Sequence, residues 1–600
     1  MKIRGLLRGG PAWLIALLIA VLAVACAVRV TLARTHFPHI DDIGVATAIL
    51  AARAAPPTAD DLLRVALDKQ RDGSDSARVA LLLDLERRGL WRPLHAAGVA
   101  AYPYIVVPLN FTYAPLQFLL TGALLRPGQD YERVKLLGRL PSVMFSLLSV
   151  ILVALCARRM AAAGAAALAV MAASGIAFSG EHTVLAAQMH SYAASSAASA
   201  AVLLLVVMDA RGVSWSPRFV IGRAAALIGL CYLSYQVVTL VPGYCAALGI
   251  GALTRAERRD RPGIAVRGAM LGAIVALGFL PAYMFRVAGI NSITFSAGPS
   301  REFVFERGLA DAPRFFLTNA WVVLKALISP LPDDWGAASV VAALAAVALV
   351  AGWWVMLSRA AARHRWGPAA AAGVYTLTSV LVAGGLVLTR AIALGPTRHM
   401  IVYLPIVVIP AAYGLRAIAI LAARRWLVGP RRSWTALSCA ATLALMAMYV
   451  GHAGALLAER RDPFDERQLA RLAREYAVDL IVADEAAHVL AMPALAREAP
   501  LDTTLPIVAM TAPRVSGGAP VPARTLVVSQ LEPFGDDACS RLRDVIVRRA
   551  GVAPWEPCAS RVRVLQTASR RSGVEVEFSR RTTNGTNEYH VAVVAVDPRP

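Results

Sequence analysis

Residues 11–30 read PAWLIALLIAVLAVACAVRV, twenty positions among which Arg29 is the one charged side chain. A run of about 20 apolar residues is what an α-helix needs to cross a bilayer of about 30 Å at about 1.5 Å per residue. Upstream, Lys2, Arg4 and Arg8 give the run a basic flank. A signal peptide cleaved near Ala-Val-Ala-Cys-Ala would read similarly, but a first span whose flank is held on the cytoplasmic side explains the same residues. Downstream comes His36-Phe37-Pro38-His39-Ile40-Asp41-Asp42-Ile43-Gly44, which sets two adjacent carboxylates a few residues beyond the end of the span. Acids so close to a bilayer surface point to proton handling or cation binding.

The remainder of the 600 residues agrees with the first run. A hydrophobic share of 57%, a charged share of 17% and a mean hydropathy of +0.57 exceed what a soluble globular chain carries. Further apolar runs lie at 138–157, 161–178, 185–208, 219–253 (long enough for two spans), 264–288, 336–357, 367–388, 400–423 and 434–451. The expected fold is therefore an α-helical polytopic membrane protein with about 11–13 transmembrane helices. The run 113–125 is short for a crossing. The net charge of +22 does not indicate nucleic acid, because the basic residues gather in short loops at 157–159, 211–223, 255–267, 359–365 and 424–432. With an inside N-terminus all five fall on one side, as the positive-inside rule requires.

The same parity puts 31–112, 179–184, 289–335, 389–399 and the tail from 455 outside, so the expected division is a membrane module over 1–454 and a soluble domain over 455–600. These external segments gather Asp41 and Asp42, then Glu181 and His182, then Arg398 and His399 on one membrane face. The tail has strand-length apolar runs at 479–483, 505–510, 525–529 and 590–596, alternating with helical patterns at 465–476 and 536–549, and reads as a small C-terminal α/β domain. Five of the seven cysteines sit in or at the ends of apolar runs and behave as small core residues. Cys539 and Cys558 stand in the polar tail, where a disulfide between them is expected if the tail faces an oxidising compartment.

In chemical terms, one of Asp41 and Asp42 can take a proton from an attacking hydroxyl while the other positions the acceptor or a cation; the pair would equally serve as an N-cap for the segment beginning at Ile43. His36 and His39, in the pattern His-x-x-His-x-Asp-Asp, could complete a metal site with them, and a divalent cation is the one cofactor that this pattern leaves open. Histidines in an interfacial loop more often have no such role. Tyr192, Tyr232 and Tyr235 read as interfacial belt or core, Asp333-Asp334 as a turn after proline, and Asn584-Gly585-Thr586 as a chance match to the glycosylation sequon.

Several stretches together resemble one family. Tyr113-Ala-Pro-Leu-Gln-Phe-Leu-Leu, then Gly138-Arg-Leu-Pro-Ser-Val-Met-Phe-Ser-Leu-Leu-Ser-Val, then Ala157-Arg-Arg are similar to the PPLYY, RLPSALFGLLSV and RR pattern of GT-C glycosyltransferases related to protein O-mannosyltransferases and lipid A aminoarabinose transferase. The family's short acidic motif after the first span is matched by Asp41-Asp42, its ARxYAL pattern is approximated by Gln188-Met-His190-Ser-Tyr192-Ala, and its RHxxxxxP pattern is matched by Arg398-His399-Met-Ile-Val-Tyr-Leu-Pro405. The resemblance runs over residues 11 to about 410 and stops before the tail.

It implies an enzyme of a bacterial inner membrane, for which the parity of the basic loops gives a cytoplasmic N-terminus and an extracytoplasmic C-terminal domain. Such an enzyme inverts the anomeric carbon as it moves a sugar from a polyprenyl-phosphate donor to a glycolipid, polysaccharide or protein acceptor outside the cytoplasm. By position, Asp41 would be the general base with Asp42 beside it, Arg398 and His399 would lie at the donor phosphate, and Glu181, His182 and His190 would stand on the acceptor side, Glu181 as a second acid. Two departures stand out: His190 where arginine is usual, and Asp42 where many relatives have glutamate. The competing classes are a flippase or transporter of lipid-linked sugars, which should carry ionisable groups in mid-span, and a non-catalytic envelope assembly protein.

Overall fold

The computed structural model describes residues 12–35, parts of 45–100, 115–282 and 309–459 with short gaps, and in the tail 480–483, 507–509, 524–530, 574–584 and 587–596. The expected sites at His36, His39, Asp41, Asp42, Cys539 and Cys558 lie outside the described residues, as do the two expected helices of the tail.

The helices are α1 (Ala12–Thr35), α2 (Ala77–Arg87), α3 (Pro115–Leu124), α4 (Tyr131–Met160), α5 (Ala165–Ala177), α6 (Gly180–Ala186), α7 (Tyr192–Asp209), α8 (Pro217–Leu233), α9 (Val241–Arg255), α10 (Arg261–Ala282), α11 (Ala312–Ile328), α12 (Gly336–Ala361), α13 (Pro368–Leu388), α14 (Leu404–Arg425) and α15 (Pro430–Glu459). Short 3-10 segments over Tyr235–Leu240 and Arg398–Tyr403 lead into α9 and α14. Among the described residues, nine helical segments are long and apolar enough to cross a membrane, or ten if the bent pair α5 and α6 counts as one. The apolar helices α8 and α11, 17 residues each, are slightly shorter.

Residues on the outside of the bundle confirm what surrounds it. On α12, Val340, Leu344, Val347 and Trp354 are 60%, 63%, 63% and 77% exposed. Their three- and four-residue spacing puts them on one helix face, an apolar surface that water would penalise and lipid chains accept. The inside is packed by small residues. Gly352 of α12 and Gly414 of α14 face each other so closely that a Cβ on the first would land on the Pro410 carbonyl and one on the second on the Ala348 carbonyl. Backbones that touch in this way maximise dispersion contact between helices that have no hydrophobic force to join them within lipid.

Two findings depart from the sequence expectation. Ser179 to Val184, expected as an external loop, is a buried turn into α6: Ser179 caps the helix by accepting from the His182 amide, α6 is bent 63° from α5, and the Gly180 amide donates to the Ser329 carbonyl at 3.0 Å. The Ser-Gly pair that looks like a loop signal is a cap. Likewise 289–335 contains α11, whose Arg314, Asn319 and Lys325 mask its apolar face in the sequence.

By contact density the chain falls into two compact units, one comprising Met1–Thr31, Pro57–Leu120 and Arg139–Ala455, the other Leu32–Pro56, Thr121–Gly138 and Leu456–Pro600. The second holds a mixed five-stranded sheet of order β2-β1-β3-β5-β4, built from β1 (Leu480–Ala483), β2 (Ile507–Ala509), β3 (Arg524–Gln530), β4 (Val574–Asn584) and β5 (Asn587–Val596). β1 pairs parallel with β2 and β3, whereas β5 pairs antiparallel with β3 and β4. Four strands fall where the apolar runs predict them. β4 was not expected, because its apolar Val574 and Val576 alternate with glutamates and then give way to polar residues. The β4–β5 ladder continues to Asn584 opposite Asn587, so Gly585 and Thr586 are the two residues that connect the strands and the sequon-like Asn-Gly-Thr begins on the last paired residue of β4.

Candidate functional site

At the start of α7 the chain makes a turn over 188–191 and places His190 flat against Tyr192, with ring centroids 3.9 Å apart and planes 14° from parallel. The turn is held from α4, where the Ser142 hydroxyl donates to the His190 carbonyl at 3.1 Å, and Gln117 of α3 donates to Ser142 at 3.3 Å. The 3-10 segment at Arg398–Tyr403 delivers two more side chains to the same ring: the Arg398 guanidinium lies 5.3 Å from the Tyr192 centroid and the His399 ring meets it edge-on at 5.8 Å. Tyr192, assigned from sequence to belt or core, is the piece on which three expected site residues converge.

The proton positions follow from the donors. The Gln236 side-chain amide nitrogen lies 2.9 Å from His399 Nδ1. An amide NH2 can only donate, so Nδ1 accepts and the imidazole proton is assigned to Nε2. Thr239 donates to the Gln236 carbonyl at 2.8 Å, so the Tyr403 hydroxyl at 3.1 Å donates to Thr239. Tyr232, Tyr235 and Phe279 form a separate aromatic row, at 6.4 and 5.9 Å between successive rings. The result is a guanidinium and an imidazole donor held against aromatic faces at one end of the bundle, an arrangement suited to an anion carried on an amphiphile.

Glu181 and His182 part company. Glu181 is half-buried in the first turn of α6, which packs against the 3-10 segment carrying Arg398. His182 is fully buried and belongs to a second network around Arg29 of α1, itself 0% exposed. Arg29 donates from Nε to Ser146 Oγ at 2.7 Å, from Nη1 to the Ala25 carbonyl at 3.2 Å and to Tyr449 at 3.5 Å, and from Nη2 to His182 Nδ1 at 3.3 Å. Ser149 spends its proton on the Ser146 carbonyl at 2.7 Å and faces His182 Nε2 at 3.4 Å, while His182 Nδ1 lies 3.2 Å from the Ile176 carbonyl as well as beside Arg29. Thr183 donates to the Ser179 carbonyl at 2.8 Å, so Tyr449 at 3.0 Å donates to Thr183 and keeps its lone pairs for Arg29. No carboxylate among the described residues contacts Arg29. A buried arginine with every contact neutral ties α1, α4, α6 and α15 together, and sequence reading gave Arg29 no role.

The tie has a measurable consequence. Arg29→Met keeps much of the volume but strands buried partners on three helices, and is expected to cost about 2–4 kcal/mol, using about 0.6–1.7 kcal/mol for each interhelical hydrogen bond in a membrane. Thermal unfolding of the detergent-solubilised protein reads this as a clear drop in midpoint, with Arg29→Lys in between. A midpoint equal to wild type for Arg29→Met would show that the network is not a fastening.

Among the described residues no cluster of three or more His, Cys, Asp or Glu side chains could hold a metal, and Cys26, Cys156, Cys231, Cys245 and Cys439 are free thiols. Fold and site thus define a polytopic α-helical membrane protein with a cationic, aromatic site at one end of the bundle. Two solved structures similar to the chain are those of ArnT from Cupriavidus metallidurans: the apo state has 12% identity and a TM-score of 0.45 over 98% of this chain and 99% of that one, and the form bound to undecaprenyl phosphate has 13% identity and a TM-score of 0.46 over 98% and 100%. No family model and no curated protein matches the chain.

Proposed function

We propose that this protein is an integral membrane glycosyltransferase that moves a sugar from a polyprenyl-phosphate donor to an acceptor outside the cytoplasm, with inversion at the anomeric carbon. The observation that carries the reading is the convergence of His190, Arg398 and His399 on Tyr192, because these residues come from two separate motifs of the GT-C resemblance and are over 200 positions apart in the chain. In the proposed reaction Asp41 takes the proton of an acceptor hydroxyl as its oxygen attacks the anomeric carbon. The carbon–oxygen bond to the phosphate breaks on the opposite face, and the electron pair leaves with the phosphate. Arg398 and the Nε2 proton of His399 stabilise that charge, for which planar guanidinium donors are well shaped. Asp42 orients the acceptor or, with His36 and His39, holds a divalent cation; Glu181 serves as the second acid, and His190 meets the acceptor side. The tail is an accessory domain that covers the site or helps dock the acceptor, on the outer side with a Cys539–Cys558 bridge.

Purified protein given labelled polyprenyl-phosphate sugar is expected to release the lipid phosphate and transfer the sugar, with mass spectrometry of glycans and lipids from a deletion strain naming the acceptor. A protein that moves the lipid-linked sugar between leaflets and never cleaves it would be a flippase, and the enzyme reading would fall. For the orientation, a thiol reagent on intact cells should miss Cys539 and Cys558 until a reductant is added. Labelling only after the inner membrane is opened would reverse the assigned sides.

A further inference from the structure

The opposite end of α7 from Tyr192 opens into a cavity that the proposed reaction does not use. α7 has 18 residues, so the two places are about 27 Å apart at about 1.5 Å per residue. The cavity has a volume of about 250 Å³ and is lined by Asp209, Trp215, Leu248, Arg255, Ile264 and Trp366 among others, from the adjoining ends of α7, α9 and α10 and the residues before α8 and α13. Most of its wall is aliphatic or aromatic. Its construction is specific: Gly251 of α9 lies where any Cβ would run into the Trp366 indole, so the glycine is what lets that ring lie on the helix. Arg267 donates to the Trp215 backbone carbonyl at 2.8 Å and ties the backbone there to α10, while the Trp215 ring meets Phe219 edge-on at 5.8 Å.

The charges in this wall do not cancel. Asp209 is buried but fully engaged: Arg223 grips both its oxygens at 2.8 and 2.6 Å, and the Tyr244 hydroxyl donates to Oδ2 at 2.8 Å. Arg255 uses Nε to donate to the Gly251 carbonyl at 2.9 Å, and among the described residues no carboxylate pairs with its remaining nitrogens. Trp215 is 7% exposed and its indole N–H is buried with no hydrogen-bond partner among the described residues. The buried Trp215 N–H left unmatched costs free energy and calls for an acceptor, and with the exposed Arg255 in the same lining an acceptor with negative charge suits both donors. The setting is also basic, with eight arginines between Arg211 and Arg267 against Asp209, Glu257 and Asp260. Basic pockets between spans at the arginine-rich side of a membrane suit anionic lipid headgroups.

We infer that this cavity is a binding site for the phosphate headgroup of an anionic phospholipid from the leaflet on the arginine-rich side, with Arg255 and the Trp215 N–H as its phosphate donors and the Leu248, Ile264 and Trp366 surfaces against the start of the acyl chains. The inference stands independently of the reaction at the other end of the bundle. Free phosphate would satisfy the same donors but would leave the aliphatic wall unmatched, and this is why the lipid is the assigned source.

Delipidated full-length protein, titrated with phosphatidylglycerol or phosphatidylcholine and followed by native mass spectrometry, tests it. One phosphatidylglycerol should be retained in preference to phosphatidylcholine. Arg255→Gln should weaken that retention by about fivefold or more, the scale of one arginine at an anionic surface. Trp215→Phe, which keeps the ring and removes the donor, should weaken it as well, and Arg398→Gln should leave it unchanged. Equal retention of both lipids, or no loss in Arg255→Gln, would overturn the assignment. Displacement by millimolar inorganic phosphate would make it a free-anion site, and displacement by polyprenyl phosphate a donor-lipid site; either result also refutes the phospholipid assignment.

Discussion

Asp41→Asn is expected to reach the membrane in wild-type amounts and to lose sugar transfer by about 10²–10⁴-fold, the range that a positioned general base contributes. The substitution keeps side-chain volume and removes only the capacity to accept a proton, so inserted protein with little turnover isolates the chemical role. Asp42→Asn should be milder, because the companion acid orients and does not carry the proton. The readout is single-turnover transfer from a labelled lipid-linked sugar, compared at equal membrane protein. Turnover at the wild-type rate in Asp41→Asn would leave the pair as a helix cap and remove the base from the proposed reaction.

Arg398→Gln is expected to fall by about 10²–10³-fold, the scale of one preorganised donor lost from a developing charge. Because the guanidinium rests on Tyr192 at 5.3 Å, its orientation is set before substrate arrives. Arg398→Lys should recover little, since an ammonium on a flexible stem restores the charge but not the planar fork or the stacking. The loss should appear mainly in the rate of donor cleavage, with the distribution of acceptors used left unchanged. Equal activity in the lysine and arginine proteins would mean that charge alone is needed and that the Tyr192 platform is incidental.

The membrane fold was legible because most spans are their own apolar run, a signal that needs no knowledge of neighbours. The candidate site was legible only in its outline. His190, Arg398 and His399 stood out as polar groups beside spans, but that Tyr192 gathers them depends on a turn held by Ser142 and Gln117 from other helices. The Arg29 network was beyond reach, since Arg29 and Tyr449 are 420 residues apart and nothing local marks either as a partner. A local pattern also misled where two chemistries share one sequence: Ser179-Gly180 serves a buried helix cap as readily as a loop. Asp41 and Asp42 were read from sequence alone, and their role rests on the two experiments above and on the resemblance that motivates them.

The glycine contact between α12 and α14 restricts how the protein can work. The 3-10 segment with Arg398 and His399 runs straight into α14, and α14 is locked backbone to backbone onto α12 through Gly352 and Gly414. Two helices meshed at that range cannot slide past one another by a fraction of a turn without steric collision, so they form one strut, with Arg398 and His399 fixed to its tip. In the proposed reaction, traffic of a long lipid donor into and out of the site would then have to be admitted by the opposite wall, with the strut as the stationary jaw.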